Sequence, residues 1–122
     1  MAMWDIEFFE KDNSRCPTQE FLDGLSTTKD LPYINNAIKQ LEEHGNQLRR
    51  PLADNLGQKL KLWELRVRTI NGQFRFLYFF FGKNKIIITH GIKKNKGKIP
   101  PEEIKKAQEY RLIYISRKES QK

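Results

Sequence analysis

Between Leu60 and Lys98 the chain holds three apolar runs separated by two turn signals, a pattern that few folds other than a β-meander can accommodate. The first signal, Asn71-Gly72, marks a two-residue hairpin turn, because both residues tolerate the positive φ that such a turn demands. A turn there pairs Ile70 with Gln73, Arg68 with Arg75, Val67 with Phe76, Leu65 with Tyr78 and Trp63 with Phe80. One face of the hairpin is then apolar. The other carries Arg66, Arg68 and Arg75 near the turn, with Leu77, Phe79 and Phe81 beyond them. Arginines directly opposite one another repel, and such a pair makes sense around an anion. Glu64 falls on the same strand face, and as their ion-pair partner it would make part of the cluster structural.

The second signal, Gly82-Lys83-Asn84-Lys85, leads into Ile86-Ile87-Ile88-Thr89-His90. A short loop centred on Lys83-Asn84 brings His90 onto the arginine face, opposite Leu77. The strand then runs out into a loop with Lys93, Lys94, Lys96 and Lys98, and loops at strand ends are where binding residues concentrate.

Around this meander, Met3 to Phe9 alternates as a further strand. Pro17 opens a helix with Phe21, Leu22 and Leu25 at helical spacing, and a second helix from about Asp30 carries Ile34, Ala37, Ile38 and Leu41 on one face before Gly45 stops it. His44, in the last turn of that helix, suits the negative end of the dipole and not catalysis. From Gly45 to Lys59, with Pro51 and Gly57, the pattern is that of a connecting loop, and its Arg49-Arg50 pair reads as a solvated surface pair in preference to a phosphate contact. Pro100-Pro101-Glu102-Glu103 opens a last helix that places Ile104, Ala107, Tyr110 and Tyr114 along one side. The expected architecture is a small single α+β domain over residues 1–115, an antiparallel sheet with two N-terminal helices and a C-terminal helix, followed by a frayed tail over 116–122. Helices are expected on the apolar face, with the arginine and histidine face left open.

A net charge of +8 over 122 residues points to a partner rich in phosphate or carboxylate. A single cysteine, Cys16, excludes an internal disulfide, and no leader or bilayer-length apolar run is legible, so a cytoplasmic protein is expected. No glycine-rich phosphate loop and no paired-carboxylate or histidine-rich spacing appears, so neither a metal nor a cofactor is implied.

The runs Leu62-Trp63-Glu64-Leu65-Arg66-Val67-Arg68, Phe74-Arg75-Phe76-Leu77-Tyr78, His90-Gly91-Ile92-Lys93-Lys94 and Pro100-Pro101-Glu102-Glu103-Ile104, in that order, resemble the RelE/ParE superfamily of type II toxins, in its phage-derived, HigB-like branch. The resemblance implies an mRNA interferase, an endoribonuclease acting on messenger RNA, typically on the ribosome, and neutralised by a cognate antitoxin of the helix-turn-helix, HigA-like kind. Carried over by position, it implies catalytic roles for Arg66, Arg68, Arg75, His90 and Lys93, and RNA contacts for Lys94, Lys96 and Lys98. A tyrosine used by some members near the C-terminus is approached only by Tyr110, which helical spacing puts in the core. Two other readings stay open: a ParE-like toxin that inhibits DNA gyrase by binding, and a non-catalytic RNA-binding phage regulatory protein.

Chemistry supports the nuclease expectation independently. Cutting RNA without metal requires a base for the 2′-hydroxyl, an acid for the leaving oxygen and cations for the charge on phosphorus. Arginine binds phosphate bidentately and never loses its charge, so it suits the last task and is a poor base. His90 is the natural proton carrier, with a lysine as a second candidate. On this reading Arg68 and Arg75 clamp the phosphate, and Arg75→Ala is expected to relieve growth arrest while leaving the fold intact.

Overall fold

A computed structural model describes residues 3–94 and 97–121. The elements are β1 (Asp5–Phe8), α1 (Pro17–Asp23), α2 (Leu31–His44), β2 (Ala53–Asn55), β3 (Trp63–Thr69), β4 (Gly72–Phe81), β5 (Lys85–Lys93) and α3 (Pro101–Ser120). They form one five-stranded sheet in the order β1-β5-β4-β3-β2. The meander β3-β4-β5 is antiparallel, and β1 joins it by pairing parallel to β5. The expected α+β architecture is the one observed, in mixed rather than purely antiparallel form.

Hydrophobic periodicity explains the first layer. Ile34, Ala37 and Leu41 recur along one side of α2 and are buried against Leu65, Val67, Phe74, Phe76, Tyr78, Ile86 and Ile88 of the sheet. α1 adds Phe21 and Leu22 to the same core. Phe21 meets Phe74 and Phe76 edge-on, and its approach to β5 is close. A side chain added at Gly91 would sit 2.6 Å from the Phe76 ring and 2.8 Å from that of Phe21, so only glycine fits there.

The other face is not left open. α3 crosses it, burying Ala107 and Tyr114 with Leu77, Phe79 and Ile87, while Ile104 and Tyr110 pack alongside. A hydrophobic sheet face has to be covered, and Leu77, Phe79 and Phe81 supply one that α3 covers together with Phe9, Leu62 and Ile99. The expectation of helices on one face alone is therefore corrected, and a cleft stays open at the turn end of this face. The helix also continues beyond residue 115 to Ser120, where Arg117 donates to the Glu10 carbonyl and to Asp12, both at 2.6 Å.

Both hairpins depart from the simplest reading. At the first turn the central residues are Ile70 and Asn71, neither with positive φ, and Gly72 (φ 134°) opens β4. The backbone N–H of Asn71 donates to Thr69 Oγ1, and its side-chain amide reaches the buried Asp30 ahead of α2. These local and tertiary bonds select the turn. Register moves by two residues, so every pairing changes and every face assignment survives: Arg66, not Arg68, opposes Arg75, and Arg68 opposes Gln73. In the second hairpin Tyr78 pairs with Ile88 and Leu77 with His90, which leaves Thr89 as a β-bulge. The bulge is what delivers His90 to the arginine face, because an unbroken register would have turned it into the α1/α2 core. The segment expected to be a plain loop before β3 contains β2, a three-residue edge strand held to β3 at Ala53–Leu65 and by the Arg66 N–H bond to the Leu52 carbonyl.

Candidate functional site

Alternation along β3 and β4 puts Glu64, Arg66, Arg68, Gln73 and Arg75 at the end of the face that α3 does not cover. They do not form a bare cationic cluster. Glu64 is buried, 2% exposed, and accepts from Arg66 Nε at 2.5 Å and from Arg75 Nη1 at 3.1 and 3.2 Å. The second Arg75 nitrogen, Nη2, donates to Gln73 Oε1 at 3.2 Å and to the Gly97 carbonyl at 3.4 Å. Repulsion between the opposed Arg66 and Arg75 is thus relieved by a carboxylate from the neighbouring position on β3, which removes the need for an external anion at that point.

The three arginines differ in availability. Arg75 is 6% exposed and Arg66 retains about a third of its side-chain surface, 34%. Arg68 is exposed, and among the described residues no carboxylate pairs with it. Together with Gln73, Leu52 and the Gly97 backbone they line a cleft of about 530 Å³. Asp54 of β2 borders it, its Oδ2 accepting from Arg50 at 2.8 Å and from Arg66 at 3.4 Å. The Arg50 hydrogen bond holds the Asp54 carboxyl below its ordinary pKa.

His90 shares the face but not the cleft. It is 5% exposed beneath α3, edge-on to Tyr110, with Nε2 3.7 Å from Glu103 Oε1, too long for a hydrogen bond. Burial pulls its pKa down to about 4, outweighing the opposite pull of Glu103, so the ring is neutral at pH 7 and the Glu103 contact is not an ion pair. Thr89 Oγ1 donates to the Leu77 carbonyl at 3.2 Å and lies 3.1 Å from His90 Nδ1. A hydroxyl has one proton, so Nδ1 is assigned as the donor in the second contact and Nε2 keeps its lone pair. Among the described residues that nitrogen has no hydrogen-bond partner.

The lysines divide. Lys93 pairs with Phe74 and lies over its ring, on the side away from Arg75. Lys94 bonds the Gln73 carbonyl through its backbone and passes near Gly97, beside the cleft. Lys98 is exposed, and Lys96 lies outside the described residues. Tyr110 stacks on Phe9 in the second core. His44 is exposed at the end of α2. Among the described residues no three His, Cys, Asp or Glu side chains gather as a metal site.

Sequence reasoning missed Gln73, the Gly97 carbonyl and Asp54 as parts of the site. Strand alternation placed Gln73 on the correct face, but Asp54 and Gly97 come from segments with no periodicity to read.

The compact α+β sheet with an arginine-lined cleft on its meander is that of a chain from a toxin-like family. More narrowly, the chain belongs to the phage-derived protein Gp49-like family (DUF891), whose sequence profile matches residues 20–112. No curated protein matches the sequence. No helix among the described residues is long and apolar enough to cross a membrane.

Proposed function

We propose that this chain is the toxin of a HigB-like type II toxin-antitoxin pair and acts as a metal-independent endoribonuclease on messenger RNA, engaged on the ribosome. The observation that carries this reading is the cleft lined by Arg66, Arg68 and Arg75 in a chain of a phage-derived, toxin-like family. Such a cleft suits a phosphodiester, since guanidinium groups bind its oxygens in pairs and stay charged as negative charge builds on phosphorus.

In the proposed reaction the 2′-oxygen gives up its proton and bonds to phosphorus, the P–O5′ bond breaks, and O5′ takes a proton. The products are a 2′,3′-cyclic phosphate and a 5′-hydroxyl. Arg68, exposed and unpaired with carboxylate, makes the first grip on the phosphate, and Arg66 joins it. Arg75 orients the site through Glu64, Gln73 and Gly97 more than it touches RNA. His90 Nε2, neutral and unpartnered, has the proton state a general base needs. For that role Glu103 and the α3 side chains above the ring must move aside, because His90 is buried outside the arginine cleft. Lys94 is better positioned than Lys93 to assist, and Lys98 and Lys96 are assigned to the RNA backbone. The antitoxin would be an acidic protein of the helix-turn-helix, HigA-like type that covers the basic cleft.

The burial of His90 and the pairing of Arg75 with Glu64 favour a second reading, a ParE-like toxin that inhibits DNA gyrase by binding alone. Inducing the protein in cells and mapping new mRNA 5′ ends against codon position separates the two. New ends at fixed codon positions support the nuclease. Growth arrest without new ends, accompanied by DNA-damage signalling, supports the gyrase inhibitor.

A further inference from the structure

A second cleft, of about 540 Å³, opens beside the arginine cleft, on the α2 side of β2 and β3. Its walls include Trp63 and Phe80 together with Arg49, Arg50, Asn46 and Asn55. Trp63 is only half-buried, and its ring is fixed by an edge contact with Phe80 at 4.8 Å and by Tyr78 behind it at 6.4 Å. A held indole beside a guanidinium that is 71% exposed on Arg50, with two carboxamides nearby, is the equipment of a site that stacks a base and reads or steadies its edge.

The two clefts meet at one atom. Asp54 Oδ2 accepts from Arg50 of the second cleft and from Arg66 of the first. Trp63 and Arg66 lie on β3 with side chains on opposite faces, so one strand supplies residues to both clefts. What separates them is β2, a three-residue edge strand with no further strand beyond it. Five arginines, Arg49, Arg50, Arg66, Arg68 and Arg75, line the two clefts against one lining carboxylate, Asp54, so the combined surface carries a net positive charge.

We propose that single-stranded RNA held by its phosphate in the arginine cleft wraps the β2 edge and seats a flanking nucleotide in the second cleft, its base stacked on Trp63 and its phosphate against Arg50. The inference rests on the RNA-cutting reading above and adds to it a flanking-nucleotide subsite. Aromatic and amide groups beside the arginines favour RNA over an acidic peptide, which would use the charge but leave the indole without a task.

The test uses the full chain and a single-stranded RNA dodecamer with 2′-O-methyl riboses, which cannot be cut, carrying 5-iodouridine for photocrosslinking. Binding is followed by anisotropy, and adducts are located by mass spectrometry. Photoadducts at Trp63 or Phe80 are expected, with Arg50→Ala weakening binding about five- to tenfold and Lys39→Ala, an exposed charge outside both clefts, changing it less than about twofold. Arg50 is exposed but paired with Asp54, so urea denaturation of Arg50→Ala beside wild type checks that the fold is unchanged before its loss is read on binding. Adducts confined to the arginine cleft, with Arg50→Ala no different from Lys39→Ala, overturn the subsite while leaving the phosphate clamp standing. Full affinity in Arg68→Ala instead overturns the clamp. Displacement of the RNA by polyglutamate at equal charge, with loss of the Trp63 adduct, reassigns the second cleft to an acidic peptide.

Discussion

Replacing Glu64 with glutamine is the perturbation whose outcome the structure fixes most tightly. The carboxylate is 2% exposed and joins Arg66 and Arg75. Breaking a buried ion pair from one side costs about 3–5 kcal/mol, because the remaining charge stays buried without compensation. Two features reduce that here. Arg66 is 34% exposed and can turn to water, and Arg75 keeps contacts to Gln73 and Gly97. Against them, the glutamine amide presents N–H groups where a guanidinium also donates. A loss of about 2–4 kcal/mol remains, equivalent to roughly 10 °C in melting temperature for a domain of this size. Urea denaturation followed by circular dichroism measures it. In Glu64→Gln/Arg75→Met the stranded charge is gone, and at least half the loss should return. Because Glu64→Gln also releases Arg66 and Arg75 towards ligand, RNA affinity should rise while stability falls. A variant within about 0.5 kcal/mol of wild type, or a double mutant whose losses simply add, would refute the view that Glu64 holds the cluster together.

Arg68→Ala, at an exposed and unpaired position, should leave stability within about 0.5 kcal/mol while lowering the salt dependence of RNA binding by about one unit of slope, both measurable by denaturation and anisotropy. Arg75→Ala should instead cost about 2–3 kcal/mol, since it takes a partner from buried Glu64; the sequence alone marked it as the clean test, and its burial makes Arg68→Ala the cleaner one. Acid should destabilise the fold through His90: between pH 6.5 and about 4 the unfolded ring takes a proton that the folded ring refuses, so stability falls as pH drops through that window, by up to about 3 kcal/mol. The difference between wild type and His90→Asn in denaturation across that range reports it, and parallel profiles would contradict the burial argument. Gly91→Ala should destabilise by about 1–3 kcal/mol by driving a methyl group into the Phe76 and Phe21 rings, read as a lower melting temperature.

The parts of this protein that follow a period were legible in its sequence. Spacing on α2 named Ile34, Ala37 and Leu41 as its buried side, and strand alternation put Glu64, Arg66, Arg68 and Arg75 on one face of the meander. Alternation also survives a two-residue slip, which is why those faces held although Asn71 and Gly72 took other places in the turn. Tertiary bonds chose that turn, and a link such as Asn71 to Asp30 spans residues too far apart for a local pattern to show. The same limit hid β2, too short for a period, and the descent of α3 onto Leu77 and Phe79, which buried His90. Glu64 as ion-pair partner was readable because its place on the arginine face is set by alternation alone.

The chemical form of the new RNA ends distinguishes attack by the 2′-oxygen from hydrolysis by water. If the arginine cleft drives a 2′-oxygen onto phosphorus, messenger RNA from induced cells should carry new 5′-hydroxyl ends opposite 2′,3′-cyclic phosphates, and Arg68→Ala should abolish both at equal protein level. New ends bearing 5′-phosphate, or 5′-hydroxyl ends that persist undiminished in Arg68→Ala, would rule out the arginine cleft as the site of that attack.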